Sequence, residues 1–442
     1  MHGLRHPIRL IPILFVAAIA IGALLLWLPI CAAEGRSTPF LTAFFTSTSA
    51  IAVTGLIIED TATHWSFFGQ IVILALFQIG GFGIMASATL LGLLAGRGFD
   101  LRSKLATQVE RSRLEIGDSR SVLLMVLAIT LVVEIIVAAI LAVRLATAYD
   151  HDVGSAIWHG VFHSVSAFNN AGFSSYSDSV MGFQSDWVML TPIMIAVIIT
   201  ALGFPVMQDL RANRTRWKKY ALHTKITLAG TAILLGFGFV SLLAMEWTNA
   251  QTLGPMGVGE KALNAMFHSV MPRTAGFNSL DVGAFHDETL MLNYGLMFIG
   301  GGSAGTAGGI KITTIAVLLA IVYSEITRHE DASLFQRRLG ADVRRQALSV
   351  TVLAMFLIVT ATTIIAATSD LALPAILFEC ISAFSTVGLS TGITADLDAT
   401  GQIVIIALMF IGRVGTITVA TALALGASKV HYRYPEENPI VG

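Results

Sequence analysis

Charge is scarce in this 442-residue chain, and so is cysteine. Asp, Glu, Lys and Arg together make up 12% of the residues, against 55% hydrophobic. So thin a supply of charge cannot clothe a water-soluble surface. With a mean hydropathy of +0.76, the chain belongs in a lipid bilayer. Two cysteines, Cys31 and Cys380, are too few for a disulfide framework. Both fall at the edges of apolar segments and read as reduced packing residues. The net charge of −1 says nothing about partners until the charges are placed by position, and no nucleic acid is expected. Metal-ligand clusters are missing too. Phe162-His163-Ser164 and Phe267-His268-Ser269 echo each other, but neither has further His or carboxylate partners at ligand spacing. No transition metal, no resident cofactor and no enzyme activity is expected. A rival reading, an intramembrane enzyme built on His163 and His268, lacks an acid–base set to go with them.

Glycine is plentiful, at 40 residues, and part of it is periodic. Thr386-Val387-Gly388-Leu389 looks like the T-V-G-Y-G filter of potassium channels. Looser relatives stand at Val53-Thr54-Gly55, Asn170-Ala171-Gly172 and Thr274-Ala275-Gly276. The interval is roughly 110 residues, about a quarter of the chain, which marks an internal repeat. A helix C-cap explains one such glycine. Four in matching context call for something else. Each unit opens with a long apolar stretch, at 8–30, 121–148, 223–247 and 346–368. A shorter amphipathic stretch follows, at 38–50, 154–167, 258–271 and 373–384. After the glycine motif comes a second apolar stretch, at 67–95, 187–210, 289–325 and 402–427. The run from Leu10 to Ile30 is too long for a signal-peptide core and reads as an uncleaved first span.

The short stretches cannot cross a core of about 30 Å at about 1.5 Å per residue. They read as re-entrant pore helices, each followed by irregular backbone, which membrane depth tolerates only beside an aqueous path or inside protein. The expected fold is an all-α integral membrane protein. It has four tandem helix–pore-helix–helix repeats, eight transmembrane helices and four re-entrant pore loops around a pseudo-fourfold central pore. The units are 1–96, 97–212, 213–327 and 328–442. Backbone carbonyls of the twelve motif residues would replace the water around a cation.

Lys and Arg cluster at Arg97–Arg120, Arg211–Lys225, Arg328–Arg345 and Lys429–Arg433, all between units or at the end of the chain. By the positive-inside rule these segments and both termini are cytoplasmic. The opposite loops are rich in acids, such as Glu59, Asp60, Asp281 and Asp398. The stretch Gly300-Gly301-Gly302-Ser303-Ala304-Gly305-Thr306-Ala307-Gly308-Gly309 interrupts the second span of the third unit. It matches G-x-G-x-x-G formally but follows an apolar helix, not a strand, so no dinucleotide site is expected. So many glycines break a helix and put a loop on the cytoplasmic side of the filter, where a gate belongs. Close helix packing through small residues is the alternative. Lys311 and Arg413 are costly cations in such a setting. Arg413 is expected to face the pore and bond the loop carbonyls. Arg273 is expected to brace its loop from behind.

The string Pro272-Arg273-Thr274-Ala275-Gly276-Phe277-Asn278-Ser279-Leu280-Asp281 is specific. With Ser166-Ala167-Phe168-Asn169-Asn170-Ala171-Gly172-Phe173 and Ser382-Ala383-Phe384-Ser385-Thr386-Val387-Gly388-Leu389, it resembles the Trk/Ktr/HKT superfamily of cation transporters over essentially the whole chain. The ending Arg433-Tyr434-Pro435 looks more like the Ktr membrane subunit than the longer Trk subunit. The resemblance implies potassium uptake across a bacterial plasma membrane, often with sodium activation. It implies a homodimer with one pore per protomer and a KtrA-like cytosolic ring of nucleotide-binding regulatory subunits. It places gating on 300–309 and Arg413 and dimer contacts on the C-terminal tail. Gly55 favours potassium, since plant relatives with serine there favour sodium. A sodium or weakly selective cation conductor on the same fold is the alternative.

Overall fold

The structure is a computed structural model that describes residues 7–97, 119–149, 151–329 and 331–415. Residues 98–118 of the first basic cluster, the Lys429–Arg433 cluster and the C-terminal tail lie outside the described residues. The described chain is almost wholly helical. Long helices α1 (Pro7–Leu26), α4 (Ser119–Ala148), α8 (Leu222–Glu246) and α12 (Ala341–Thr368) are each followed by a short one. The short helices are α2 (Phe40–Ile51), α5 (Val153–Asn169), α9 (Val258–Val270) and α13 (Leu373–Ser385). A third set then leads away: α3 (Phe67–Arg97), α6 (Trp187–Leu202) with α7 (Phe204–Asn213), α10 (Asp287–Phe298) with α11 (Ile312–Ile326), and α14 (Ala399–Phe410). A two-residue hairpin, β1 (Ser333–Leu334) against β2 (Arg337–Arg338), precedes α12.

Local chemistry sets these limits. Asp152 caps α5 by accepting from Ser155 N at 3.1 Å, Asp186 caps α6 through Val188 N at 2.8 Å, and Asp398 caps α14 through Gly401 N at 2.7 Å. Pro374 enters the first turn of α13, where its missing N–H costs nothing. Asn170 and Thr386 end α5 and α13 by turning left-handed.

Polar residues are buried inside among apolar ones, and the outside of the long helices is apolar. On α2, Thr42, Thr46, Ser47, Thr48 and Ser49 are buried, while Ile135, Ile136, Phe237, Val240, Phe356 and Val359 on the long helices are exposed. That inversion suits lipid. Three of the four long helices are joined to their short partners through a serine. Ser47 Oγ donates to Ile19 O at 2.8 Å, Ser164 Oγ to Glu134 O at 2.6 Å and Ser269 Oγ to Leu235 O at 2.6 Å.

The second stretch of the second unit, expected as one span over 187–210, is broken. The chain bends by 91° between α6 and α7 at Gly203, whose φ is +88°. Pro205 in the first turn of α7 supplies the stop, because it cannot donate back into α6. The third unit breaks between Phe298 and Ile312, across the glycine stretch. By length and composition alone, three described helices can cross a bilayer, at Leu124–Ala148, Leu222–Glu246 and Ala341–Thr368, or four if the bent pair is one span.

Candidate functional site

The four glycine motifs converge. Each follows a short helix and shares one backbone pattern, in which the first and third residues have positive φ and the second does not. Values are 55° and 93° at Val53 and Gly55, 58° and 71° at Asn170 and Gly172, 74° and 71° at Thr274 and Gly276, and 50° and 92° at Thr386 and Gly388. Alternating left- and right-handed residues turn successive carbonyls to one side of the strand, an arrangement that L side chains resist.

The motifs also touch in a closed cycle. A Cβ on Gly55 would lie 2.5 Å from Ala171 O, one on Gly172 3.0 Å from Ala275 O, and one on Gly276 2.6 Å from Val387 O. A Cβ on Gly388 would overlap Thr54 O, which closes the ring. Each glycine thus rests on the middle carbonyl of the next motif, and only hydrogen fits there.

Three motifs are held alike. Thr54 N, Ala171 N and Val387 N donate to Ser49 O, Ser166 O and Ser382 O, each at 2.8 Å. The serine side chains add a second tie. Ser49 Oγ and Ser382 Oγ accept from Gly55 N and Gly388 N at 3.1 Å, and Ser166 Oγ donates to Phe173 O at 2.7 Å. These serines, six residues before each glycine, form a recurrence in the sequence that the motif search passed over. The third motif differs. Val270 takes the serine position, and Ala275 N bonds Met271 O at 3.0 Å. Its Arg273 is buried and reaches Thr231 on α8, with Nη2 3.2 Å from Oγ1 and Nη1 3.5 Å from the carbonyl. Asn170 and Thr274 meet across the ring, Nδ2 to Oγ1, at 3.4 Å.

The 300–309 stretch lies against the fourth motif. A Cβ on Gly308 would run into Thr386 Oγ1 and Ser385 O, and one on Gly309 would be 3.2 Å from Ser385 Cβ. Its other side meets the bend at Gly203. Gly302 N donates to Ala201 O at 2.7 Å, Phe204 N donates to Ala304 O at 3.3 Å, and a Cβ on Gly305 would be 2.5 Å from Thr200 O. Gly300 N bonds Ile310 O at 2.8 Å and closes the base of the loop, while a Cβ on Gly301 would sit 2.6 Å from Ala307 Cβ. Two cations hold its carbonyls. Lys311 Nζ donates to Ala307 O at 2.5 Å and Gly308 O at 3.3 Å. Arg413, 3% exposed, donates from Nη1 to Thr306 O, and its Nε and Nη2 have no hydrogen-bond partner among the described residues. Ser303 Oγ lies 3.5 Å from Thr313 Oγ1. The contact with Thr200 and Gly203 was missed from sequence, although Gly203-Phe204-Pro205 is a strong helix-breaking signal.

The two histidine motifs serve packing. His163 meets Ser174 Oγ at 2.9 Å and His159 O at 2.8 Å. His268 meets Asn293 Oδ1 at 2.9 Å.

Comparison with known proteins gives the family. Residues 4–431 match the TrkH family, described as cation transport protein. The Ktr system potassium uptake protein B of Bacillus subtilis is 36% identical over 436 residues, covering 99% of this chain and 97% of that protein. The potassium/sodium uptake protein NtpJ of Enterococcus hirae is 36% identical over 444 residues, with 99% and 97% covered. The crystal structure of the potassium transporter TrkH from Vibrio parahaemolyticus shares the fold, with a TM-score of 0.73 at 19% identity over 94% of this chain and 85% of that one. The chain is an integral membrane protein and belongs to the TrkH family of cation transport proteins.

Proposed function

We propose that this chain conducts potassium into the cell, as the membrane subunit of a Ktr-like system. The observation that carries the reading is the closed ring of four glycine motifs with alternating backbone handedness. Carbonyls of Val53, Thr54 and Gly55, Asn170, Ala171 and Gly172, Thr274, Ala275 and Gly276, and Thr386, Val387 and Gly388 would line the ring and replace the water around an ion. The 300–309 stretch is the gate beneath it. Lys311 and Arg413 hold the gate's carbonyls, and the charge on Arg413 opposes cation passage while the gate is closed. The names of relatives at 36% identity support potassium as cargo.

Four repeats with eight membrane crossings are the architecture that goes with this reading, with 1–96, 97–212, 213–327 and 328–442 as the units. Helix α1, the other third-set helices and the bent α6–α7 pair complete the crossings that length alone leaves out. Both termini lie in the cytoplasm of a bacterial cell, below its plasma membrane. Two copies pair, and a ring of nucleotide-binding regulatory subunits docks on the basic inner face. Sodium activates the transport. A second reading, a conductor of sodium as well as potassium, is favoured by the likeness to NtpJ, a potassium/sodium uptake protein, and by the departure of the third motif from the other three. The deciding experiment measures potassium and sodium flux from the purified protein in liposomes. Potassium flux well above sodium flux supports the first reading, equal fluxes the second, and no flux of either ion refutes both.

A further inference from the structure

Glu134 lies halfway along α4 and is 8% exposed. Its surroundings offer few donors. Gln78 on α3 turns Nε2 toward Glu134 Oε2 at 3.5 Å. Gln78 Oε1 accepts from Nδ2 of Asn169, the last residue of α5. The same Nδ2 also donates to Val165 O at 2.9 Å. Two oxygens are left over. Glu134 Oε1 and Asn169 Oδ1 are both buried and accept no hydrogen bond among the described residues.

Among the described residues, no charge nearby balances an ionised carboxylate. Residues 67–83 of α3 and 187–202 of α6 contain no charged side chain. On α4 itself, Arg144 is taken by Asp186 at 2.8 Å. On α5, His159 bonds Ser175 and His163 bonds Ser174. A carboxylate held by one 3.5 Å contact at this depth would cost several kcal/mol, on the order of a buried unpaired ion. A proton on Oε1 removes the charge that has no partner.

The carboxyl is not demanded by the architecture. The serine joins between long and short helices place Ile19, Glu134 and Leu235 at one register position in three units. Two of the three are aliphatic. What sets the second unit apart is the polar bridge that Glu134 begins. The bridge ends at the second glycine motif, because Asn169 precedes Asn170. Asn170 Oδ1 accepts from Thr200 Oγ1 at 2.7 Å, and its Nδ2 donates to Thr274 Oγ1 at 3.4 Å. Gly81 on α3 leaves room for the bridge, since a Cβ there would strike Asn169 Oδ1.

We infer that Glu134 is held as the neutral acid, with its proton on Oε1, the oxygen that no donor among the described residues reaches. The bridge Glu134–Gln78–Asn169 then fixes the second glycine motif and so helps set ion selectivity. Glu134 is a positioning residue that acts through Asn169. This role rests on the reading of the four motifs as an ion filter.

The test uses the full chain in liposomes and reads the potassium-to-sodium flux ratio for E134Q, E134L, Q78L and G172S. Glutamine copies the neutral acid, with an amide donor in place of the hydroxyl, so E134Q keeps the wild-type ratio. E134L and Q78L lower the ratio about tenfold, the scale of a lost buried hydrogen bond. The infrared difference between wild type and E134Q contains the C=O stretch of a protonated carboxyl. A ratio in E134Q as low as in E134L, or no such band, overturns the proton assignment. A wild-type ratio in folded E134L overturns the positioning role. Should E134L fail to fold, Q78L decides alone, since it cuts the same bridge from α3. G172S separates the levels. If it lowers the ratio while E134L and Q78L do not, only the bridge is wrong. If none of the three lowers it, the filter reading falls as well.

Discussion

Gly388→Ser puts a side chain where the ring closes. The glycine has φ of +92°, its Cβ would overlap Thr54 O, and that Cβ would be 3.1 Å from Gly55 Cα. Holding serine in that conformation costs on the order of 1–3 kcal/mol. The overlap with a backbone carbonyl adds to it, and neither partner is the end of a flexible side chain. The strain is relieved only by moving the fourth motif away from the first, which spreads the carbonyls around the ion. If about 1.4 kcal/mol of that distortion falls on the potassium site and not on sodium, selectivity drops about tenfold. At the upper end of the range it falls about a hundredfold. Flux of each ion from purified protein in liposomes measures this directly. Gly392→Ser is the matched control, because Gly392 has φ of +98° but nothing within 4 Å of its Cβ position. It carries the same backbone strain without the close approach, so it lowers stability and spares selectivity. Full potassium selectivity in Gly388→Ser, or an equal loss in Gly392→Ser, would refute the reasoning.

Arg413→Ala removes a buried guanidinium that bonds Thr306 O. At an effective dielectric of about 20, a guanidinium about 6 Å from a cation opposes it by about 3 kcal/mol, so basal flux should rise about a hundredfold; unchanged flux would sink the barrier role. Asp186 is buried, which raises its carboxyl, but Arg144, Tyr149 and the Val188 N–H outweigh this and hold it below the usual range. A depressed folded value contributes stability above about pH 4, lost as pH falls through the folded value. Unfolding temperatures of wild type and Asp186→Asn should therefore differ at neutral pH and converge in acid, and a gap that stays constant would contradict this. Glu246 accepts from His286 N, Thr289 Oγ1, Asn249 Nδ2 and Thr252 Oγ1 at 2.6–3.0 Å. Glu246→Ala strands those donors and should destabilise by several kcal/mol, on the order of 3, read as a fall in unfolding temperature in detergent. A variant that unfolds like wild type would show that water satisfies the donors.

The short helices were legible because their signals are local. Short helices, left-handed caps and glycines that admit no Cβ all leave marks within a few residues, so the four short helices lie where the pattern of the chain puts them. The boundary at Gly203 was not seen. The run from 187 to 210 is apolar enough to read through, and hydropathy outweighed the Gly-Phe-Pro stop. What no local pattern carries is which motif follows which around the ring, or that α6 ends beside the 300–309 loop. Gln78 gave no sign either. A glutamine in an apolar run has no meaning until Glu134 and Asn169 are brought to it from two other helices.

The cyclic contact at the ring has a handedness. Gly55 leans on the second motif, Gly172 on the third, Gly276 on the fourth and Gly388 on the first. A Cβ added at Gly55, Gly172 or Gly388 meets the motif that follows it, while one at Gly276 would also lie 3.1 Å from Gly172 Cα in the motif before. The coupling of two motifs is the same from either side. Suppressors of a side chain added at Gly55 should therefore map to the second motif, and damage at Ala171 should be answered at Gly55.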